Sequence, residues 1–418
     1  MESVRTNLKF SFNYVKAFVK WVIVAMVVGI IGGIIGSFFH LSIDYVTELR
    51  TKYNFLIFLL PVGGIVIALM YRIFSSKGRI DTNRVIESVR KGEKIPLVMI
   101  PLIFISTVVT HMLGGSAGRE GAALQLGGSI GYNFGKLLHL KKNDMHIIVM
   151  SGMSGVFAAL FGTPLTAAIF SLEVTNVGVL HYAGLLPCVI SSVTAAQIAQ
   201  RFNLHAVHFA GIEFGSITWD LTVKIILLAV LCALVSILFC MVIKKCEHTM
   251  DKLIKNSFLR AFAGGAAIVL LTLLAGNQDY NGAGMDIVTR AIEGEANPEA
   301  FLLKILFTAI TISAGFKGGE IVPAFFIGST FGCVIGPLLG LNPTIAAAIG
   351  FVALFCGVVN CPVASIILSL EIFGAEGLIF FAIASSVSYM MSGCFGLYHS
   401  QKIVYSKIDD EYIDINTR

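Results

Sequence analysis

Long apolar runs, parted by short stretches that carry charge, decide what this chain can fold into. The first, Trp21 to Phe39, is long enough to span a bilayer and follows a basic start with Arg5, Lys9, Lys16 and Lys20. It is too long for a secretory signal, and no small-residue cleavage site stands out. Further runs lie near 55–74, 95–113, 121–135, 145–172, 177–200, 221–243, 259–275, 301–314, 321–342, 344–370 and 375–395. A bilayer core offers no water to backbone polar groups, so such runs become helices. Several can hold two short, tilted or broken helices, and more than ten membrane helices are expected. Only 13% of the residues are charged and 56% are hydrophobic, where a soluble domain carries about 25% charged residues. That excludes a soluble enzyme, a disordered chain and a nucleic-acid binder. The expectation is an all-α polytopic membrane protein with a single transmembrane domain over 1–418.

In the first run Gly29, Gly32, Gly33 and Gly36 give two overlapping GxxxG spacings, which suit close helix packing. The eight cysteines form no CxxC pair and the nine histidines show no metal spacing. No metal and no cofactor are expected.

Loop charge predicts orientation. Lys77, Arg79, Arg84, Arg90, Lys91 and Lys94 make 75–94 basic; Lys136, Lys141 and Lys142 form a second basic patch, and Lys244, Lys245, Lys252, Lys255 and Arg260 a third. The stretch 203–220 has no Lys or Arg, and 276–300 sets five acids against Arg290 alone. Positive loops stay in the cytoplasm. Both termini are therefore expected inside, with 44–53, 203–220 and 276–300 outside.

The chain also repeats itself. Pro164 and Ser171-Leu172-Glu173 match Pro362 and Ser369-Leu370-Glu371 at an offset of 198. Gly115, Gly118, Glu120, Gly128 and Ser129 match Gly315, Gly318, Glu320, Gly328 and Ser329 at an offset of 200. Two related halves follow, roughly 15–200 and 220–400. Transporters built from repeats place the substrate at the repeat interface near the midplane.

The chemistry gathers where the halves match. Between Lys94 and Lys136 the only charged residues are Arg119 and Glu120, inside Gly114-Gly115-Ser116-Ala117-Gly118-Arg119-Glu120-Gly121. A charge within a membrane segment is costly and marks a functional candidate. Glycines can end one helix and start another whose free N–H groups attract an anion. Glu120 at that start would compete for the anion's place. The second half repeats the device as Gly315-Phe316-Lys317-Gly318-Gly319-Glu320-Ile321-Val322-Pro323, and Pro323 suits a first helical turn. Two such breaks would aim two helix starts at one site. Glu173 and Glu371 end apolar runs and read as structural capping or loop-facing carboxylates. Tyr398 follows the last run, where a tyrosine often belongs to the interfacial belt. His111 reads as a satisfied core residue.

These motifs resemble the CLC family of chloride channels and anion/proton antiporters over nearly the whole chain. The resemblance rests on Gly118-Arg119-Glu120-Gly121, on Gly162-Thr163-Pro164-Leu165 through Glu173, on Gly318-Gly319-Glu320-Ile321-Val322-Pro323 and on Gly396-Leu397-Tyr398. It implies a homodimer of inverted repeats with a pore in each subunit, Glu120 as the gate that carries the proton, and Tyr398 as the pore tyrosine. With the last residue at Arg418, it also implies no cytoplasmic regulatory domain. Gly118, Arg119, Glu320, Ile321, Val322, Tyr398 and Thr82 become anion-binding candidates.

The departures point to one branch. Chloride-type members carry GSGIP where this chain has Gly78-Arg79-Ile80-Asp81-Thr82-Asn83, with Thr82 in place of the pore serine. Val174 stands where an inner proton glutamate is expected, and Glu320 where chloride-type members are apolar. The pattern resembles the fluoride-exporting, fluoride/proton antiporter branch. Fluoride is small and strongly hydrated, so it needs short, strong donors such as backbone N–H groups, a phenol or a protonated carboxylic acid. The implied function is fluoride/proton antiport across the cell membrane. A chloride channel or chloride/proton antiporter is the alternative. An intramembrane enzyme would need a second catalytic group at the depth of Glu120 and His111, and no motif supplies one.

Overall fold

The computed structural model describes residues 2–74, 81–209 and 211–418, and of residues 2–11 the helix alone. Of the stretch 78–83, residues 78–80 lie outside the described residues.

Among the described residues eight α-helices precede the connection at 202–218: Glu2–Lys52, Leu60–Phe74, Thr82–Lys91, Met99–Met112, Glu120–Leu137, Lys142–Phe161, Pro164–Glu173 and Leu185–Arg201. Eight follow it: Trp219–Leu253, Ser257–Ala275, Met285–Ile292, Ala300–Ser313, Ile321–Ile335, Pro343–Val359, Pro362–Phe373 and Leu378–Met391. Both series open on the longest helix and break their seventh from their sixth before a proline. The chain therefore crosses the membrane many times, as the apolar runs predict. Run 145–172 breaks at Gly162 (φ +69°) and run 344–370 at Asn360 (φ +58°), each a left-handed helix end.

Two stretches read as loops hold helices. In 75–94 the helix Thr82–Lys91 buries Val85, Ile86 and Val89, and in 276–300 Met285–Ile292 buries Ile287, Val288 and Ala291. Both are amphipathic and short, so their charge hides their apolar stripe from a search for long runs.

The glycines of the first helix work as two grooves. Gly29 and Gly33 lie against Ser191 and Ala195 of Leu185–Arg201, while Gly32 and Gly36 lie against Val156 and Ala159 of Lys142–Phe161. An aromatic seam joins the halves through the core. Phe157 meets Phe170 at 5.2 Å, Phe170 meets Phe355 at 5.9 Å, and Phe325 stacks on Phe351 at 4.0 Å.

Glu173 and Glu371 tie the halves a second time. Glu173 accepts the N–H groups of Val363 (3.1 Å) and Ala364 (2.9 Å), and Glu371 accepts those of Leu165 (2.9 Å) and Thr166 (2.8 Å). Each carboxylate caps the helix that carries the other, which is the capping role rather than the loop-facing one.

A three-stranded sheet is an addition to the all-α expectation. Strand β1 (Asn176–Val177) runs parallel to β2 (Lys402–Tyr405), and β2 pairs antiparallel with β3 (Tyr412–Asn416). The alternation in Tyr412-Ile413-Asp414-Ile415 has the period of a strand, beyond the reach of any helical run. Gln401, fully buried, donates to the carbonyls of Val174 (3.1 Å) and Val359 (2.7 Å), and Thr417 Oγ1 donates to the Tyr398 carbonyl (2.6 Å). The segment after the last helix thus braces the backbone at Tyr398.

Candidate functional site

The site begins where two helices stop short. Met99–Met112 is followed by Gly114 (φ +85°) and Ala300–Ser313 by Gly315 (φ +100°), left-handed turns that glycine adopts without a steric penalty. Each turn leads through a few extended residues into a new helix, at Glu120 and at Ile321. The extended residues pair across the halves. Gly118 N–H donates to the Gly319 carbonyl (2.7 Å) and Gly319 N–H to the Gly118 carbonyl (2.8 Å), a single antiparallel bridge. A side chain on Gly121 would sit 3.2 Å from the Gly319 Cα, so the two helix starts meet as closely as backbone allows.

Glu120 occupies that meeting point and is wholly buried. Its Oε1 accepts the Arg119 N–H at 3.0 Å and its Oε2 accepts the Val322 N–H at 3.2 Å. One carboxylate thus takes free N–H groups from both helix starts, the place that an anion would take. The absent side chain of Gly118 leaves room for it, since a Cβ there would collide with the Glu120 carboxylate.

Arg119 does not turn its charge toward this carboxylate. Its guanidinium donates to Asp44 Oδ1 (3.1 Å), and the other oxygen of Asp44 meets His40 Nε2 (3.1 Å). Arg119 reaches the site through its backbone N–H. Val322 does the same, and Ile321 is the buried first residue of the second helix.

Two cavities approach Glu120. The narrower, about 500 Å³, is lined by Thr82, Gln125, Gly318, Glu320 and Tyr398, with Arg72, Lys244 and Arg260 among the residues farther along its wall. The wider, about 1040 Å³, is lined by His40, Asp44, Arg50, His111, Arg119, Val322 and Phe325. Glu120 lines neither. It stands between Glu320 on one wall and Arg119 and Val322 on the other.

In the narrower cavity Glu320 forms the N-cap of Ile321–Ile335. Lys317 turns its ammonium over the Tyr71 ring at 4.4 Å. Thr82 Oγ1 donates to the Gly121 carbonyl (3.4 Å) and accepts from Gln125 Nε2 (3.1 Å), which fastens it beneath the first helix start. Tyr398 is only 2% exposed and its hydroxyl has no hydrogen-bond partner among the described residues. A buried phenol seldom forgoes a partner, so Tyr398 is no belt residue. The structure brings Glu120, Glu320, Val322, Thr82 and Tyr398 into one locality.

His111 is half of what the sequence suggests. Its Nδ1 meets the Thr107 carbonyl at 2.9 Å, while its Nε2 is buried without a partner among the described residues. Sequence reading missed Asp44, Arg50 and Lys304. Lys304 carried a signal, a lysine inside the apolar run 301–314; Asp44 and Arg50 sit in a stretch that reads as an ordinary outer loop.

The family and the fold have known counterparts. The family described as "Voltage gated chloride channel" matches residues 62–393. The chain is 35% identical over 395 residues to a "Chloride/fluoride channel protein" of Pseudomonas syringae pv. tomato, covering 93% of this chain and 87% of that one. Among solved structures it superposes on a "CLC-type fluoride/proton antiporter" with a TM-score of 0.88 and 30% identity, covering 92% of this chain and 98% of the other. A "slow cyanobacterial Cl-/H+ antiporter" shares the fold, with a TM-score of 0.76 and 19% identity over 89% of this chain and 94% of that one.

Proposed function

The chain belongs to the voltage-gated chloride channel (CLC) family, and on that premise we propose that it is a fluoride/proton antiporter exporting fluoride across the cell membrane. It is a multi-pass membrane transport protein and not an enzyme. The observation that carries the reading is the Glu120 carboxylate held on N–H groups of two helix starts, between two cavities. A carboxylate there excludes an anion while it is charged. Once protonated it loses that charge, can leave the helix starts, and frees the place for the anion. One group then gates the anion and moves the proton, which is exchange.

Fluoride is favoured by what faces the narrower cavity. Glu320, as a neutral acid, and the Tyr398 hydroxyl are short, strong donors, and such donors compensate a small, strongly hydrated ion more than a large one. The names of the relatives at 35% and 30% identity support the same choice. In this proposal Gly118, Arg119, Ile321 and Val322 supply backbone, and Thr82 holds the first helix start.

The proposal extends to a homodimer with one pathway per subunit and to both termini in the cytoplasm. The Lys and Arg residues of 81–94, 136–144 and 244–260 support cytoplasmic termini, and Lys244 and Arg260 of the third patch line the narrower cavity, which supports placing it on the same side. The test is efflux from liposomes holding the purified chain, read with fluoride and chloride electrodes. Fluoride efflux well above chloride efflux is expected; equal or greater chloride efflux would select the chloride-exchange alternative.

A further inference from the structure

The wider cavity carries charge that the gate does not use. Arg50 lies in the last turn of the first helix and is 7% exposed. Its guanidinium packs on Gly282, in the turn between Tyr280 and Gly284. One terminal N–H reaches the His111 carbonyl only at 3.5 Å, and Nε has no partner among the described residues. A guanidinium offers five N–H donors, and a buried cation short of acceptors is costly unless an anion meets it.

Lys304 approaches the same turn and is fully buried. Its ammonium donates to the carbonyls of Gly282 (2.8 Å) and Tyr280 (3.2 Å) and stands over the Phe326 ring at 4.9 Å. All these partners are neutral. Arg50 and Glu120 both lie within its electrostatic reach.

The acids of this cavity are engaged elsewhere or open to water. Asp44 is held by Arg119 and His40, and Asp279 by Arg290 at 3.2 Å. Asp286 is exposed at the start of its helix and acts on Arg50 at a distance without forming an ion pair. Among the described residues neither Arg50 nor Lys304 forms an ion pair. With Nδ1 of His111 donating to Thr107, its neutral ring offers only a lone pair, so Arg50 is the donor here.

We infer that Arg50, with Lys304 behind it, forms a separate holding site for a small inorganic anion, fluoride or chloride, in the wider cavity beside the Glu120 gate. Two buried cations at a low-dielectric wall concentrate anions where they enter or leave the gate. With the wider cavity outside, the site holds the anion where it meets the gate from that side, apart from proton exchange at Glu120. It does not depend on which of the two ions the protein carries.

The experiment measures the apparent KM for fluoride and chloride, and the protons moved per anion, with the full chain in liposomes. Arg50→Gln is expected to raise the KM of the transported anion about tenfold, with the maximal rate and the proton ratio kept within about twofold. Arg50→Lys keeps the charge and is expected to restore KM to within about threefold. Thr47→Glu leaves Arg50 in place and sets a carboxylate three residues before it, on the same wall; it is expected to raise KM as Arg50→Gln does. An unchanged KM in folded Arg50→Gln or in Thr47→Glu overturns the inference. So does a fall in maximal rate that Arg50→Lys fails to restore, since that marks Arg50 as a support of the Gly282 turn. If chloride is the ion carried, the fluoride reading fails while the KM comparison on chloride still decides this site.

Discussion

Glu120, in the first half, accepts the backbone N–H of Val322, in the second, across 3.2 Å. A gate that merely plugged one helix start would leave the other with a free donor. This one answers both, so its release opens both together. Glu120→Ala removes the competing carboxylate and keeps the donors. The expected outcome is passive fluoride flux in liposomes that no longer changes between acidic and neutral pH. A variant that stays folded and still shows the wild-type pH dependence would place the gate elsewhere.

Glu320 lies one residue before the second helix, where a fixed negative charge would repel the anion that the helix start attracts. Its useful state is the neutral acid. Glu320→Ala is expected to lose most fluoride transport or to let chloride compete, with proton coupling weakened because no inner glutamate stands at Val174. Flux, coupling and a size-exclusion profile together check this. Unchanged fluoride flux and coupling in a well-folded variant would reduce Glu320 to packing.

The reciprocal caps predict a stability effect. Glu371→Ala leaves the N–H groups of Leu165 and Thr166 without their carboxylate, and removing a helix N-terminal cap costs roughly 0.5–2 kcal/mol. A loss of about 2 kcal/mol is expected, read as a lower midpoint of thermal unfolding in detergent. Adding Glu173→Ala should cost less than its own single effect, since both caps hold the same pair of helices. Full additivity would argue against a shared junction.

Topology has a direct check. A cysteine placed at Met285, at the start of Met285–Ile292, is expected to react with an impermeant thiol reagent from outside the cell and not from the cytoplasm. Cross-linking in native membranes is expected to give a homodimer. Labelling of position 285 from the cytoplasm would invert the proposed orientation.

Much of this was legible because membrane folding leaves few options. Apolar runs fix the helices, and residues that such runs exclude, such as Gly118, Glu120, Pro323 and Glu371, stand out and betray the repeat. What was hidden depends on contacts across long sequence distances. Nothing near Arg119 says that its side chain goes to Asp44, 75 residues earlier. Nothing near Arg50 says that it will be buried, because it lies in the last turn of a helix beside Lys52 in a stretch that reads as water-facing. Nothing near Thr82 says that its hydroxyl goes to the Gly121 carbonyl, 39 residues later. The hairpin behind Tyr398 was written in its alternation, but a chain read for helices gives such a pattern no weight.

The central claim is that one carboxylate serves both ions, and one measurement tests it most directly. Liposomes holding wild type or Glu120→Gln are given an outward fluoride gradient, and proton uptake is followed with a pH electrode. Glutamine keeps the size of the side chain and cannot titrate. The account predicts proton uptake driven by fluoride efflux in the wild type and none above background in Glu120→Gln. Proton uptake by Glu120→Gln at the wild-type rate would contradict it.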